Sequence, residues 1–386
     1  MMIDRKRIAV NLGGGYVPGL NAVITGVVLA ANELGWEVVG IRDGFDGLLF
    51  PGQYPEGGLI RLSPQIVENL ASAAGAILGT AARNDPFHVR SVNAENQVEE
   101  VDRSDELLEM LKAEKIDAVI SIVEGRALGI LYKLARKGLK VVAVPKSVEN
   151  DVAATMLSFG FNSALSYTTE TLDRARQAAQ STRKIAVVEV LGEHAGWLAL
   201  QSAMAVCADA ALIPEVPYNL LKVADKLREK LKTGRTYGLV VVAEGAVPAV
   251  APQPQAIPQT ARSLRASLSP GATGDEGSHV IHRSGQAAET VALELQRLTN
   301  HETYPLVLGQ LVKGGAPTPV DRQLGLGYGA GAVRALSENR VGVMVAFQPP
   351  ELTFVPLAEA INKVRTVPSG SLFLQVARSL GISLGD

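Results

Sequence analysis

Short β-branched apolar runs alternate with helical patterns along this chain, and that alternation limits the fold more than any other feature. Ile8–Leu12 reads as a strand and residues 19–34 as a helix; Glu37–Ile41, Ala118–Ile122, Val141–Val144, Lys184–Val190 and Gly238–Ala243 read as further strands, with helical stretches between them. Strands that alternate with helices predict an α/β fold with mostly parallel sheets covered by helices. In such folds ligands sit at the carboxyl ends of strands, where loops lead into helices. A length of 386 residues suits two domains rather than one core. One segment breaks the rhythm: residues 247–285 are rich in Pro, Ala, Gln and Ser and read as a flexible surface insertion, with a helix resuming near Ala287–Leu298.

Five loops have residues suited to chemistry. The first, Gly13-Gly14-Gly15-Tyr16-Val17-Pro18-Gly19, follows a strand and opens a helix. Glycines let the backbone approach an anion, and the helix start offers free N–H groups; the same glycines also serve a tight strand–helix turn for steric reasons alone. The second holds Arg83, which is either a phosphate partner or an ordinary surface arginine. The third, Pro145-Lys146-Ser147-Val148-Glu149-Asn150-Asp151, places a lysine and two acids after a strand. A carboxylate there suits proton abstraction from a hydroxyl and a lysine suits transferring phosphoryl charge; the alternative is a solvated turn. The fourth is Gly309-Gln310-Leu311-Val312-Lys313-Gly314-Gly315, and the fifth is Leu191-Gly192-Glu193-His194-Ala195-Gly196-Trp197. Nothing ties His194 to a serine or cysteine nucleophile.

Other functions are disfavoured. A net charge of −2 gives no broad attraction to nucleic acid or membrane. No apolar run is long enough to cross a bilayer. The single cysteine, Cys207, excludes an internal disulfide, fits a reducing cytoplasm, and sits in an apolar run that reads as core. The five histidines lack metal-ligand spacing. The glycine spacing is not that of a dinucleotide fingerprint, and no acid closes the second strand.

Further stretches fall in register with the first turn: Asp43-Gly44-Phe45-Asp46-Gly47-Leu48, Ile77-Leu78-Gly79-Thr80, Phe159-Gly160-Phe161-Asn162-Ser163-Ala164, His194-Ala195-Gly196-Trp197, Ile213-Pro214-Glu215 and Val241-Val242-Ala243-Glu244-Gly245. In this order they resemble the phosphofructokinase family, from Ile8 to about Leu336. The resemblance implies two α/β domains with the active site in their cleft. It implies phosphoryl transfer from ATP or pyrophosphate, with magnesium, to the 1-hydroxyl of fructose 6-phosphate. It implies a cytoplasmic homodimer or homotetramer in which a neighbouring subunit completes the sugar-phosphate site. Residues 1–145 plus about 314–345 would form the phosphoryl-donor domain, and 146–313 plus about 346–386 the sugar-phosphate domain.

The family's roles carry over unevenly. Gly14 and Gly15 stand at the donor-loop glycines, and Arg83 at the donor-phosphate arginine. The family's Gly-Gly-Asp-Gly loop appears as Ile122-Val123-Glu124-Gly125. Glu124 would be the magnesium carboxylate and Gly125 would stay by the donor, but Ile122 and Val123 would crowd it. In the base loop, Thr-Ile-Asp-x-Asp becomes Ser147-Val148-Glu149-Asn150-Asp151, making Glu149 the general base with Asp151 beside it. Glu149 is one methylene longer than aspartate, and a misplacement of about 1 Å can cost ~100-fold in rate. Lys146 matches the lysine of pyrophosphate-type members. On the sugar-phosphate side, Ser147, Glu244 and Gln310 stand at contact positions, Glu193 replaces an arginine, Lys184 and Tyr304 replace the two cross-subunit arginines, and Lys313 replaces a fourth arginine. Arginine-to-lysine changes lose bidentate phosphate recognition. Two functions remain: a phosphotransferase with impaired or altered catalysis, or a non-catalytic regulatory or metabolite-binding homologue, with an intact catalytic paralogue as its partner.

Overall fold

In the computed structural model, which describes residues 6–80, 85–92, 98–249 and 285–386, the apolar runs become strands buried on both faces. In chain order the strands are β1 (Arg7–Leu12), β2 (Glu37–Ile41), β3 (Leu59–Leu62), β4 (Val89–Val92), β5 (Val98–Val101), β6 (Ala118–Val123), β7 (Val141–Ser147), β8 (Phe159–Gly160), β9 (Ile185–Val190), β10 (Ala210–Leu212), β11 (Gly238–Ala243), β12 (Thr303–Val307), β13 (Val343–Gln348) and β14 (Glu351–Pro356). Most of the expected insertion, residues 250–284, lies outside the described residues, as does Arg83.

The chain divides into two compact units, Met1–Ala164 with Lys313–Arg365, and Leu165–Val312 with Thr366–Asp386. The first unit holds a sheet of order β14-β13-β7-β6-β1-β2-β3, with β8 beside β7. Pairs β1–β2, β1–β6, β6–β7, β7–β13 and β7–β8 are parallel; β2–β3 and β13–β14 are antiparallel. The second unit holds β10-β11-β9-β12, parallel throughout. Residues of β6, β7, β9 and β11 are all buried, as a parallel sheet under helices requires.

The boundaries differ from those expected at 145/146 and 345/346. A cut at 345/346 would sever β13, and a cut at 145/146 would sever β7, which continues to Ser147 because Lys146 and Ser147 pair with Phe159 and Gly160 of β8. Cys207 also departs from expectation. It is exposed, with a φ of 49°, because the helix Trp197–Ala205 has ended and the chain is turning.

Two helices of the first unit flank the candidate site. Helix Leu20–Glu33 leaves the glycine turn, and helix Pro319–Ser337 follows Lys313. They pack backbone to backbone: a Cβ on Gly26 would lie 2.3 Å from the Leu326 carbonyl oxygen, and one on Gly329 would lie 2.2 Å from that of Val23. The Thr318 hydroxyl accepts from the Asp321 amide at the start of the second helix. Asp321 is fully buried and accepts from the amide (2.7 Å) and hydroxyl (2.6 Å) of Ser163.

Candidate functional site

The carboxyl ends of β1, β6 and β7 are adjacent, so three separate stretches of sequence meet there. Leu12 is in register with Ile122, and the Gly13 amide donates to the Ile122 carbonyl (3.0 Å). This pairing sets the glycine turn beside Glu124, just past the end of β6. Glu124 Oε1 accepts from the Gly15 amide at 3.0 Å. Gly14 takes a left-handed φ of 83°, and a Cβ there would lie 3.1 Å from Glu124 Cδ. Ile122 and Val123 are fully buried as the last residues of β6, and Glu124 lies against the turn.

Lys146 belongs to β7 rather than to a loop and is 0% exposed. Its ammonium donates to the Gly15 carbonyl. Burial pushes its pKa down to about 8; Glu124 opposes that shift and Lys313 adds to it. The resemblance assigns Lys313 to the sugar phosphate, yet its ammonium lies 3.7 Å from where a Gly15 Cβ would stand. Tyr16 holds this arrangement together. Its hydroxyl accepts from the Gly75 amide (2.9 Å) and donates to the Gly315 carbonyl (3.2 Å), two residues beyond Lys313.

The acidic loop after β7 is braced from within. Ser147 Oγ donates to Asp151 Oδ1 (2.5 Å) and accepts from the Glu149 amide (3.0 Å). Asn150 takes a φ of 55°, and its side chain accepts from the Ser158 amide (2.9 Å). Gly125 is in ordinary contact range of Val152, where its Cβ would be 3.8 Å from Cγ2. Arg365 also holds the loop. Its amide donates to the Asp151 carbonyl (2.7 Å) and its Nη1 to the Asn150 carbonyl (3.1 Å), and burial lowers the guanidinium pKa. Neither Arg365 nor the Tyr16 hydroxyl could have been assigned a role from sequence: each acts through a contact more than 50 residues away.

In the second unit the candidates separate. Glu193 and Glu244 sit on neighbouring loops at the carboxyl end of the small sheet; the Gly192 amide approaches Glu244 Oε1 at 3.4 Å, and the Gly245 amide donates to the Gly192 carbonyl at 3.1 Å. Gln310 is exposed on the short turn that follows β12 at that same end. Lys184 and Tyr304 lie at the opposite end. Lys184 precedes β9 and pairs with Glu302 (2.9 Å), and Tyr304 is in register with Ala186. Burial raises the Tyr304 pKa, and Lys184 partly offsets it. A strand such as β9 spans roughly 20 Å. Within one chain, therefore, Lys184 and Tyr304 do not join the acids.

The phosphofructokinase family profile matches residues 7–336. The chain belongs to the phosphofructokinase family. It is 36% identical over its whole length to an ATP-dependent 6-phosphofructokinase of Chloroflexus aurantiacus, covering 99% of that protein. It is also 36% identical over 94% of its length to a pyrophosphate–fructose 6-phosphate 1-phosphotransferase of Amycolatopsis methanolica, covering 96% of it. Among solved structures, phosphofructokinase from Saccharomyces cerevisiae matches with a TM-score of 0.69 at 25% identity over 97% of this chain, which spans 47% of the yeast chain. A pyrophosphate-dependent phosphofructokinase from Marinobacter aquaeolei has the same fold, with a TM-score of 0.72 at 18% identity over 98% of this chain and 88% of its own.

The family implies magnesium, an ion that one carboxylate together with a ligand's phosphates and water can hold. Glu124 is the carboxylate at this turn; its Oε1 accepts from the Gly15 amide, and the ammonium groups of Lys146 and Lys313 lie near the same glycine. Among the described residues, no helix is long and apolar enough to cross a membrane.

Proposed function

We propose that this family member transfers a phosphoryl group from ATP or pyrophosphate to the 1-hydroxyl of fructose 6-phosphate or a related sugar phosphate, with impaired or altered catalysis. The observation that carries this reading is the convergence of the Gly15 amide, buried Lys146 and Lys313 at the carboxyl ends of β1, β6 and β7. Phosphoryl transfer needs positioned positive charge more than covalent chemistry. In this reading the two ammonium groups offset charge on the transferring phosphoryl group. Glu149 takes the proton from the sugar hydroxyl as its oxygen bonds to phosphorus and the bond to the leaving phosphate breaks. Asp151 and Arg365 hold the base loop through Ser147 and the Asn150–Asp151 backbone. The longer Glu149 supports a lowered rate. A relative named for ATP and one named for pyrophosphate both match at 36% identity, over 100% and 94% of this chain, so both phosphoryl donors enter the test. Turnover of fructose 6-phosphate is measured with each, with and without magnesium, on folded protein; no turnover under any of these conditions rejects the catalytic reading.

A second reading, a non-catalytic regulatory or metabolite-binding protein in the cytoplasm with an intact paralogue as partner, is favoured by Glu193, which stands where the family has an arginine, on a loop adjacent to that of Glu244. An acid in place of that arginine removes an attraction for a sugar phosphate. Stabilisation in a thermal-shift screen by nucleotides or sugar phosphates, without turnover, supports this reading, and no stabilisation rejects it. A homodimer or homotetramer is part of either reading.

A further inference from the structure

We infer that the Glu124 carboxylate occupies, in the free protein, the seat that a ligand's phosphate takes on the glycine turn, and that Glu124 thereby determines how tightly any phosphoryl ligand binds. The inference rests on the reading of the turn as a phosphoryl seat.

The Gly15 amide is the group the turn offers an anion, and it already donates to Glu124 Oε1 at 3.0 Å. All three carboxyl atoms of Glu124 lie 3.1–3.3 Å from the position a Gly14 Cβ would take, so the group lies flat against the turn. Lys146 is fully buried, its ammonium held on the Gly15 carbonyl, with Glu124 as its charge partner. Lys313 stands on the same side of Gly15. One carboxylate thus receives the amide with two ammonium groups close by, an arrangement that resembles a bound phosphate oxygen in charge and in the donor it uses. A real phosphate would compete with Glu124 for the same donor and meet its negative charge.

The size of the effect follows from occupancy. A seat that is open one tenth of the time or less weakens apparent affinity at least about tenfold. Tenfold corresponds to about 1.4 kcal/mol, the order of one charge-assisted hydrogen bond.

The test is calorimetric titration of the full chain with inorganic pyrophosphate at pH 7, without divalent cation. Glu124→Gln keeps the shape and removes the charge, and should bind at least tenfold tighter than the unchanged protein. Glu124→Asp keeps the charge but falls one methylene short of the Gly15 amide, and should lie between the two. It also gives a second measurement if the glutamine variant does not fold. Binding by the unchanged protein with no tightening in either variant overturns the inference and leaves the phosphoryl reading standing. Aspartate binding no more tightly than glutamate overturns seat occupancy in favour of simple repulsion. No pyrophosphate binding by any of the three rejects the seat itself and the inference with it.

Discussion

The two sheets place the charges of their candidate residues differently along their strands. In the first unit, the ends of β1, β6 and β7 bring the Gly15 amide and Lys146 beside Glu124, and Lys313, from the turn before helix Pro319–Ser337, lies near the same glycine. In the second, β9 and β11 bring two glutamates together, while the basic Lys184 lies at the far end of the strand. The proposed anion seat of the first unit therefore draws on residues of that unit alone. In the second, Lys184 pairs with Glu302 before β9 begins, away from the two glutamates. Family membership alone does not separate these cases; the position of each charge along its strand does.

The sharpest way to break this contrast is to remove the buried cation. Lys146→Met should weaken pyrophosphate binding roughly 100-fold, the scale of truncating one partner of a buried, hydrogen-bonded charge pair, and calorimetry checks it. A loss of less than threefold would show that the first unit does not depend on Lys146. The same lysine predicts a pH dependence. Its pKa of about 8 means that the ammonium is lost as pH rises through 8. Pyrophosphate affinity should therefore fall by up to about tenfold between pH 7 and pH 9, as Lys146 goes from mostly protonated to mostly neutral. Stability should move the other way. The unfolded lysine holds its proton to about 10.5 while the folded one releases it near 8, so between these values the unfolded state binds more protons and stability rises with pH. The melting temperature of the unchanged protein, relative to Lys146→Met, should climb across that window.

The second unit is tested by reversing its sign. Glu193→Arg should tighten sugar-phosphate binding by about fivefold and raise any turnover in proportion, because a like-charge contact becomes an attractive one. Unchanged affinity would mean that Glu193 does not face the ligand. The smallest effect is expected from Lys184→Ala, about threefold on sugar-phosphate affinity, as for a solvent-exposed charge. That loss should appear only at protein concentrations where sedimentation shows an oligomer. The same loss in a monomer would contradict the placement of Lys184 at the far end of β9.

Much of the scaffold was legible because it is local. The β-branched runs of β2 and β11 fix both ends of each strand, and the Leu20–Glu33 helix departs from expectation by one residue at each end. The candidate site was legible only as a set of loops. That β7 continues through Lys146 depends on β8, a two-residue strand with no periodicity of its own. The inward turn of Glu124 depends on a hydrogen bond spanning 109 residues, and the Arg365 contact with Asn150 spans 215. The motif position of Lys313 records order along the chain and says nothing of its neighbours; its ammonium lies near Gly15 through a fold in which Tyr16 bridges to Gly315. Cys207 looked like core because its neighbours are apolar, but a left-handed turn after a helix can expose one residue within such a run.

The glycine seam between helices Leu20–Glu33 and Pro319–Ser337 also bears on the anion seat. One helix begins where the glycine turn ends, and the other begins six residues after Lys313. With no side chain cushioning Gly26 against Leu326 or Gly329 against Val23, the two axes have no slack at the crossing. The width of the proposed seat is therefore gauged from a distance, by a seam outside it. A single methyl added at Gly26 or Gly329 would act like a shim, respacing the Gly15 amide and the Lys313 ammonium while leaving every residue of the seat unchanged.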